Sequence, residues 1–286
     1  MPRRLQRSPG ALPLALRLLR PRRRPKPSAD PTATEPPPLA LTVDRAPIDG
    51  DALGAWRRAC GYDAGDAAPL PYLFVLAFSA QAELLLDPAS PFAPTGMVHI
   101  ASRLEADREL RAGESLRLEL RLDAWRRVRK GREIDVDIRY FDDRGEVARG
   151  LQTSFARGGG TGEAAPATQR KGPPDFDFET WRLEADAGRA YARVSGDWNP
   201  IHLWPITAMP FGYRRPIAHG MHLVARACAA LEPSGAAARR RLDVRFKTPA
   251  DLPAVVRLYR TGGGFELWRG DGSRPHAAGQ LQDLGP

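Results

Sequence analysis

The sequence predicts an α+β protein made of two similar units in tandem, each with one long apolar helix and several antiparallel strands. A proline-flanked apolar run, PYLFVLAFSAQAELLL from Pro71, is long enough for a buried helix of about four turns. In the segment ESLRLELRLDAW, Leu116, Leu118, Leu120 and Leu122 alternate with polar residues, the period of a half-buried antiparallel strand. The second half of the chain then repeats this order of elements.

The first unit is predicted to span 41–157. LTVDRAPI reads as a strand that leads into a helical stretch over 51–60, and the long apolar helix follows. Four strand-like segments come next: MVHIASRLEADREL, ESLRLELRLDAWRRV, REIDVDIRYFDD and EVARGLQTSFAR. DDRG at 142–145 predicts a hairpin turn between the last two strands.

The second unit is predicted to span 176–286, in the order strand, small helix, loop, long helix (220–231) and four strands, LDVRFK, AVVRLYR, GFELWR and HAAGQLQ. A linker at 158–175 is indicated by its composition, GGGTGEAAPATQRKGPP. These glycines do not form a phosphate-binding loop, because no GK[ST] follows them. Residues 1–40 form an Arg- and Pro-rich extension, whose ALPLALRLLR piece could form a short amphipathic helix.

Charge and cysteine usage exclude several function classes. The net charge is +9, but residues 1–30 contribute eight Arg and one Lys against Asp30, or +8, which leaves about +1 for the remainder. The extension is therefore expected to be a flexible or surface-docked lead-in, with a membrane-surface or transit role as the lesser reading and no nucleic acid as partner. No apolar run is long enough to span a bilayer. The two cysteines form no CxxC pair, so a disulfide framework or zinc finger is not expected and a cytoplasmic location fits.

The densest set of chemically useful side chains lies in YARVSGDWNPIHLWPITAMPFGYRRPIAHGMHLVARACAAL, residues 191–231. Gly196 is typical of the residue just past a helix end, and Pro200 forces Asn199 into an extended conformation. Asp197 and His202 are therefore predicted to lie on an irregular loop that can aim both side chains at one point. A carboxylate and an imidazole together can hold and polarise a water molecule.

Gly220 is predicted to open the long helix of the second unit. The first amides of a helix have no partner within it, and the helix dipole favours negative charge there. Because glycine has no Cβ, a substrate can approach this amide closely. A water-activating pair followed by such a donor is suited to adding water beside a carbonyl.

The runs SGDWNPIH, TA at Thr207–Ala208, FG and IAHGM, with VRFKTPADLPAVVRLYR downstream, resemble the MaoC-type (R)-specific enoyl-CoA hydratase/dehydratase family. The resemblance implies a hotdog fold, here a pseudo-twofold double hotdog, and reversible syn hydration of trans-2-enoyl thioesters to (R)-3-hydroxyacyl thioesters by a hydro-lyase. It places the catalytic pair on Asp197 and His202, the supporting Asn on Asn199 and the carbonyl-binding glycine on Gly220. Cys228 stands near a position where some small members carry a supporting Ser. PTGMVHI at 94–100 resembles a weakened copy of the second-half motif.

The remaining expectations concern substrate and partners. No cofactor is expected beyond the coenzyme A or acyl-carrier thioester of the substrate, and no metal, although Asp197, His202, His219 and His222 are metal-capable residue types. His219 is expected to be a buried strut, and His222 structural or pocket-lining. Open sheet edges make a homodimer plausible. Residues assigned to substrate binding are His219, Met221, Ser195, Arg214, Arg215 and Lys247, with Arg214, Arg215, Arg245 and Lys247 either facing coenzyme A phosphates or forming a solvated face.

Two other classes of function remain open from the sequence. A hotdog thioesterase would direct water at the thioester carbonyl, and a non-catalytic protein would only bind acyl thioesters. Within the leading class, a branched or dicarboxylic enoyl-CoA is the second choice of substrate.

Overall fold

A computed structural model describes residues 3–10, 38–92, 94, 97–128, 130–157, 172–232 and 239–285. The predicted short helix in the extension and residues 158–171 of the predicted linker lie outside this part of the chain. Within it, no helix is long and apolar enough to cross a membrane.

The first half contains one N-terminal strand, two helices and five further strands. They are β1 (Arg3–Arg7), β2 (Ala40–Pro47), α1 (Gly50–Cys60), α2 (Tyr72–Leu85), β3 (Val98–Ala106), β4 (Ser115–Val128), β5 (Gly131–Phe141) and β6 (Glu146–Arg157).

The second half repeats this order with a more elaborate segment before its long helix. Its elements are β7 (Phe178–Leu183), α3 (Ala187–Ser195), a 3-10 turn (Pro200–His202), α4 (Pro205–Ala208), a second 3-10 turn (Met209–Phe211), α5 (Gly220–Leu231), β8 (Arg240–Phe246), β9 (Ala254–Thr261), β10 (Gly264–Arg269) and β11 (Pro275–Asp283).

Local sequence signals explain several of these boundaries. The Asp49 carboxylate accepts the amide of Ala52 at 2.9 Å and caps α1, which ends at Gly61 in the left-handed region (φ 82°). At the predicted DDRG turn, Asp142 accepts the amides of Arg144 and Gly145 at 2.8 and 3.1 Å. The hairpin between β5 and β6 is therefore confirmed.

The strands of the described residues form one 11-stranded sheet in the order β1-β2-β4-β5-β6-β3-β8-β11-β10-β9-β7. Apart from β1, each half places its own strands in the order first, third, fourth, fifth, second. The halves meet at their second strands, β3 and β8, which pair antiparallel. Helix α2 packs on β2 and β4, and α5 packs on β10 and β11. The predicted double hotdog is confirmed, while the predicted unit boundaries stay predictions.

The β3–β8 seam fuses the two halves into one core. Leu104 of β3 lies opposite Leu242 of β8, and both are fully buried. Glu105 accepts Arg149 of its own half at 2.7 Å and Arg241 of the other half at 2.9 Å. Since one apolar cluster includes residues of both halves, they are expected to unfold together.

Strand β1 was not predicted. It pairs parallel with β2, with Arg3 bound to Glu83 at 2.5 Å and Arg4 bound to Asp44 at 2.8 Å. A short Arg-rich strand has little apolar periodicity, so its sequence does not predict a strand. The strand is recognised from its pairing with β2 and from the ion pairs with Glu83 and Asp44.

The interpretation of PTGMVHI as a copy of the second-half motif is wrong. The counterpart of the α5 start is the start of α2 at Tyr72, whereas residues 97–100 follow α2 and lead into β3. His99 is therefore a strand residue rather than a helix-cap residue.

Replacing Leu104 by Ala should destabilise the whole protein by about 2–5 kcal/mol, because it leaves a cavity in the shared seam. Urea unfolding followed by fluorescence and by circular dichroism should show one coincident transition at a lower midpoint. The neighbouring Arg103→Ala change, which removes an exposed pair with Asp243, should cost less than about 1 kcal/mol. Two separate transitions in the Leu104 variant would contradict a single cooperative core.

Candidate active site

The loop that carries Asp197 and His202 is shaped by its glycine and proline. Helix α3 ends at Gly196 in the left-handed region (φ 73°), as predicted. Asn199 is extended (φ −58°, ψ 126°), and its side chain accepts the amide of Ile201 at 3.4 Å. Asn199 thus caps the 3-10 turn in which His202 lies, so the predicted irregular loop contains one short helical turn.

The loop is tied to the segment that leads into α5. Ile217 donates its amide to the Ile201 carbonyl at 3.0 Å, and Ala218 donates to Ala250 at 2.8 Å. The Ile217 carbonyl lies 2.7 Å from Nδ1 of His202. Because a carbonyl only accepts, Nδ1 carries the proton and the neutral ring keeps a lone pair on Nε2.

His219 supports the loop from the other side. Its Nε2 donates to the main-chain carbonyl of Asp197 at 3.0 Å, and its ring stacks on His202 with centroids 3.7 Å apart. His219 is only 2% exposed. Its position agrees with the predicted buried strut.

A carboxylate oxygen of Asp197 and one ring nitrogen each of His202 and His219 all lie within 4.8 Å of one another. This cluster has the residue types of a metal site, yet Nδ1 of His202 and Nε2 of His219 are engaged with main-chain carbonyls. That leaves three groups of the cluster without a hydrogen-bond partner among the described residues: Nε2 of His202, Nδ1 of His219, and the Asp197 oxygen that does not accept the Asn199 amide. The expectation of no metal stays a prediction.

Burial shifts the titration of the pair toward the neutral forms. It raises the pKa of Asp197, with the nearby His202 opposing the shift. It lowers the pKa of His202, with Asp197 opposing, and lowers that of His219 well below its ordinary value. His202 is therefore neutral at pH 7 and can accept a proton on Nε2.

Gly220 opens α5, as predicted. Within the described chain its amide has no hydrogen-bond acceptor, as expected for the first residue of a helix. A Cβ at this position would lie 2.5 Å from the Phe246 ring. Any side chain here would displace that ring, so the packing of Phe246 against the start of α5 requires glycine.

A cavity of about 190 Å³ joins these groups. Asp197, Asn199, His202, His219 and Gly220 line one part of its wall. Helix α2 and strand β3 of the first half supply another part, including Phe74, Phe78, Gln81 and His99. The first half therefore shapes the pocket beside the motif of residues 197–202 and 217–220.

Other predicted site residues fall into three groups. Met221 and Lys247 line the cavity, and Lys247 is exposed. Arg214 and Arg215 lie instead in an adjoining groove of about 860 Å³, which shares its residues 248–250 and 276 with the cavity wall. Arg245 lines neither space.

Ser195 does not line the cavity. Its Oγ donates to the Tyr191 carbonyl at 2.9 Å and accepts the amide of Asp197 at 3.2 Å, so it positions the loop.

Cys228 lies two turns along α5 from Gly220, about 12 Å by helix rise, and is buried beside Cys60 and Tyr62. His222 does not line the cavity. Its Nε2 lies 3.2 Å from the Ala59 carbonyl, and its ring stacks on Tyr191.

Sequence reasoning missed Gly188. A Cβ at this helical position would lie 1.9 Å from the carbonyl oxygen of His202. The close approach of α3 to the 3-10 turn thus requires glycine. A glycine inside a predicted helix was the one available signal.

Comparisons with known proteins show the family of the chain. Residues 166–270 match the MaoC-like domain family. A Mycobacterium tuberculosis protein named 3-hydroxyacyl-thioester dehydratase X is 31% identical over 242 residues, which are 83% of this chain and 86% of that protein. The chain belongs to the MaoC-like dehydratase family.

Solved structures of MaoC-like dehydratases agree with the fold. The crystal structure of HtdX from Mycobacterium tuberculosis superposes with a TM-score of 0.75 at 28% identity and covers 86% of this chain and 100% of that chain. A MaoC-like dehydratase from Phytophthora capsici, at 22% identity, has a TM-score of 0.65 over 87% of this chain and 96% of that chain. Membership of the MaoC-like dehydratases favours dehydratase chemistry over the thioesterase and binding-only alternatives.

Replacing Gly188 by Ala should lower both activity and thermal stability, since the methyl group would push His202 away from Ile217. The matched control is Gly54→Ala in α1, where a Cβ meets only an Arg58 guanidinium at 3.5 Å. That change should leave activity intact and stabilise α1 by about 0.5–1 kcal/mol. Melting curves and hydratase assays of both variants make the comparison, and an active, wild-type-like Gly188 variant would refute the close approach.

Proposed function

We propose that this MaoC-like dehydratase adds water reversibly to trans-2-enoyl thioesters to give (R)-3-hydroxyacyl thioesters. The observation that carries the proposal is that Asp197, His202 and Gly220 line one cavity, with a carboxylate oxygen of Asp197 and a ring nitrogen of His202 within 4.8 Å of each other. The name of the 31% identical relative, a 3-hydroxyacyl-thioester dehydratase, supports the same chemistry.

Asp197 and His202 would hold the attacking water. The ionised carboxylate and the Nε2 lone pair each accept a hydrogen bond from it, which aims its oxygen at C3 of the enoyl group. As the C–O bond forms, one water proton passes to the pair. Because the two groups are close and buried, they titrate as a unit, and the proton belongs to the pair.

The Gly220 amide would bind the thioester oxygen. Addition at C3 moves negative charge onto that oxygen, where a fixed donor at a helix N-terminus can contribute about a hundredfold in rate. The pair then returns its proton to C2 on the same face. Dehydration follows the same steps in reverse, and the side chains end as they began.

This reaction requires no metal and no cofactor other than the acyl carrier, because the carboxylate and imidazole supply the base and the amide supplies the electrophile. The carrier is proposed to be coenzyme A or an acyl carrier protein. Asn199 and Ser195 act by holding the loop, while His219 supports Asp197 and Met221 forms part of the pocket wall.

The groove beside the cavity suits the phosphates of the carrier. Four arginines and two aspartates line it: Arg214, Arg215, Arg269, Arg274, Asp251 and Asp271. Arg269 pairs with Asp271, and no carboxylate among the described residues pairs with the other three arginines. Lys247 lies on the exposed part of the cavity wall. An acyl group in the cavity would thus leave its carrier among unpaired cations.

A cytoplasmic location and a homodimer are further parts of the proposal. Two buried free cysteines are compatible with a reducing compartment. Trp204, Ile206 and Met209 expose 45%, 79% and 63% of their surface on the segment after His202, and such apolar exposure favours contact with a second subunit.

Asp197→Asn should reduce hydration of a crotonyl-type thioester by about 10²–10⁴-fold, because the amide cannot take the water proton. The same variant should be more stable than wild type at pH 7. Burial raises the pKa of Asp197 above its ordinary 3.8, so the ionised form weakens the fold increasingly as pH rises above that value. The stability difference should vanish below about pH 4.

The control is Asp186→Asn, an equally small change at an exposed position near the same loop. It should leave rate and stability unchanged. Full activity in the Asp197 variant would remove the proposed mechanism, and release of free thiol from a saturated acyl-CoA would favour the thioesterase instead.

Replacing Arg214 and Arg215 together by Ala should raise KM for an enoyl-CoA by about 3–10-fold with little change in kcat, since two exposed charge contacts are lost. KM for the corresponding pantetheine thioester, which lacks the nucleotide phosphates, should not change. Steady-state kinetics at low and high salt measure both. An equal loss for the two substrates would show that these arginines support the fold rather than the carrier.

A further inference from the structure

The wall of the cavity in the first half is more polar than a plain acyl chain requires. Phe74, Phe78, Gln81 and Leu85 line it from one face of α2, which spans about 16 Å over these 11 residue steps. Burying a polar group against a hydrocarbon chain without a hydrogen bond costs free energy. Yet His99, Gln81 and Ser154 belong to this wall.

Two of these polar side chains present buried atoms that lack a well-formed hydrogen bond. Nε2 of His99 and Oε1 of Gln81 are both buried, and neither makes a hydrogen bond of good geometry among the described residues. The side-chain amide of Gln152 lies close enough to His99 to oppose the lowering of its pKa by burial, but both polar atoms of that amide also lack a partner of good geometry. Each such group costs about 1–3 kcal/mol if nothing satisfies it. Ser154 lies directly opposite His99 in the β3–β6 register, so its hydroxyl is close to the same part of the wall.

His99 is held rigidly. Its ring stacks on Phe74 with centroids 5.1 Å apart and an interplanar angle of 11°, and it contacts Phe246 at 5.0 Å. Phe246 in turn fills the space beside Gly220. His99 is therefore separated from the thioester-binding amide by one aromatic ring, and Gln81 lies seven residues, or about 10 Å, farther along α2 than Phe74.

We infer that the cavity is built for an acyl chain that carries a hydroxyl group beyond C3, with His99 as the residue that recognises it and Gln81 of α2 as a second acceptor. This inference rests on the proposed function and names the substrate class of the same site. A hydroxyl can donate to the unpaired Oε1 of Gln81 and can donate to or accept from Nε2 of His99.

Charge favours a hydroxyl over a carboxylate. Burial lowers the pKa of His99 to about 4, so the ring is neutral at pH 7. Gln81 and Ser154 are neutral as well, and Lys247, a cation of the cavity wall, is exposed. A carboxylate at His99 would be buried without a counter-ion. The dicarboxylic substrate considered from the sequence is accordingly disfavoured.

The test compares trans-2-decenoyl-CoA with its 5-, 7- and 9-hydroxy derivatives. Wild-type enzyme should show a kcat/KM at least about tenfold higher for the best-placed hydroxy isomer, because the plain chain leaves the polar wall unpaired. His99→Leu should lower kcat/KM for that isomer by about 3–10-fold, the value of one neutral hydrogen bond, and should not lower it for the plain chain. His99→Gln, which keeps a neutral donor and acceptor, should restore part of the preference.

Ser102→Ala is the matched control. Ser102 lies on the same strand and its Oγ is also buried without a partner, but it does not line the cavity. Its replacement should leave the ratio of the two kcat/KM values unchanged. Equal kcat/KM for plain and hydroxylated chains in the wild type, or a preference that survives both His99→Leu and Gln81→Leu, would overturn the inference.

Binding measurements separate this inference from the proposed function. Calorimetric titration of the wild type with saturated decanoyl-CoA and its hydroxy derivatives requires no turnover. If no enoyl thioester is hydrated but the hydroxylated chains bind more tightly through His99, the proposed function fails and the polar subsite stands. If hydration proceeds and neither kinetics nor binding depends on His99, the proposed function stands and the polar subsite is refuted.

Discussion

The site depends on three hydrogen bonds that join the 197–202 loop to the 217–219 segment. Ile217 donates to Ile201 at 3.0 Å and accepts Nδ1 of His202 at 2.7 Å, and Nε2 of His219 donates to the Asp197 carbonyl at 3.0 Å. These bonds set the tautomer of His202 and place the Asp–His pair beside the start of α5. Without these bonds, the 197–202 loop and the 217–219 segment would be independent, and Asp197 and His202 would not be held beside the start of α5.

The two halves of the protein contribute different parts of the cavity, and the β3–β8 seam holds those parts together. The second half carries Asp197, His202 and Gly220, the residues proposed to react, while α2 and β3 of the first half line the rest of the cavity. Burying these polar groups lowers the free energy of unfolding. Asp197 does so when its carboxylate is ionised, and His99 and Gln81 do so when the cavity is empty. A continuous core across Leu104 and Leu242 supplies stability that a single small hotdog would lack.

Much of the fold and part of the site follow from local sequence rules. The period-two leucines of β4, the Gly196 helix end, the effect of Pro200 on Asn199 and the Gly220 helix start each depend on residues next to one another, so the sequence predicts them correctly. Features that join distant segments escape such rules. The pairing of β1, the contact between Gly188 and His202, and the entry of His99 into the cavity are set by tertiary packing. The sequence marks Gly188 as a glycine within a helix, but it does not show which distant residue that glycine approaches. Ser195 was placed on the substrate for the same reason, because its bond to the Asp197 amide depends on how α3 ends.

The asymmetry between the halves has a physical basis in how the two long helices begin. At the start of α2, the amides of Tyr72, Leu73 and Phe74 donate to the carbonyls of residues 69–71, so the first turn is satisfied by its own chain. At the start of α5, His222 and Leu223 both donate to the His219 carbonyl, and within the described chain the amide of Gly220 has no acceptor. A proline-rich approach at 69–71 closes one helix end, while a glycine keeps the other open to a substrate oxygen. The first half thus has no free amide donor for a substrate oxygen at the start of α2. This is consistent with a first half that binds the acyl chain and a second half that carries out the proposed reaction.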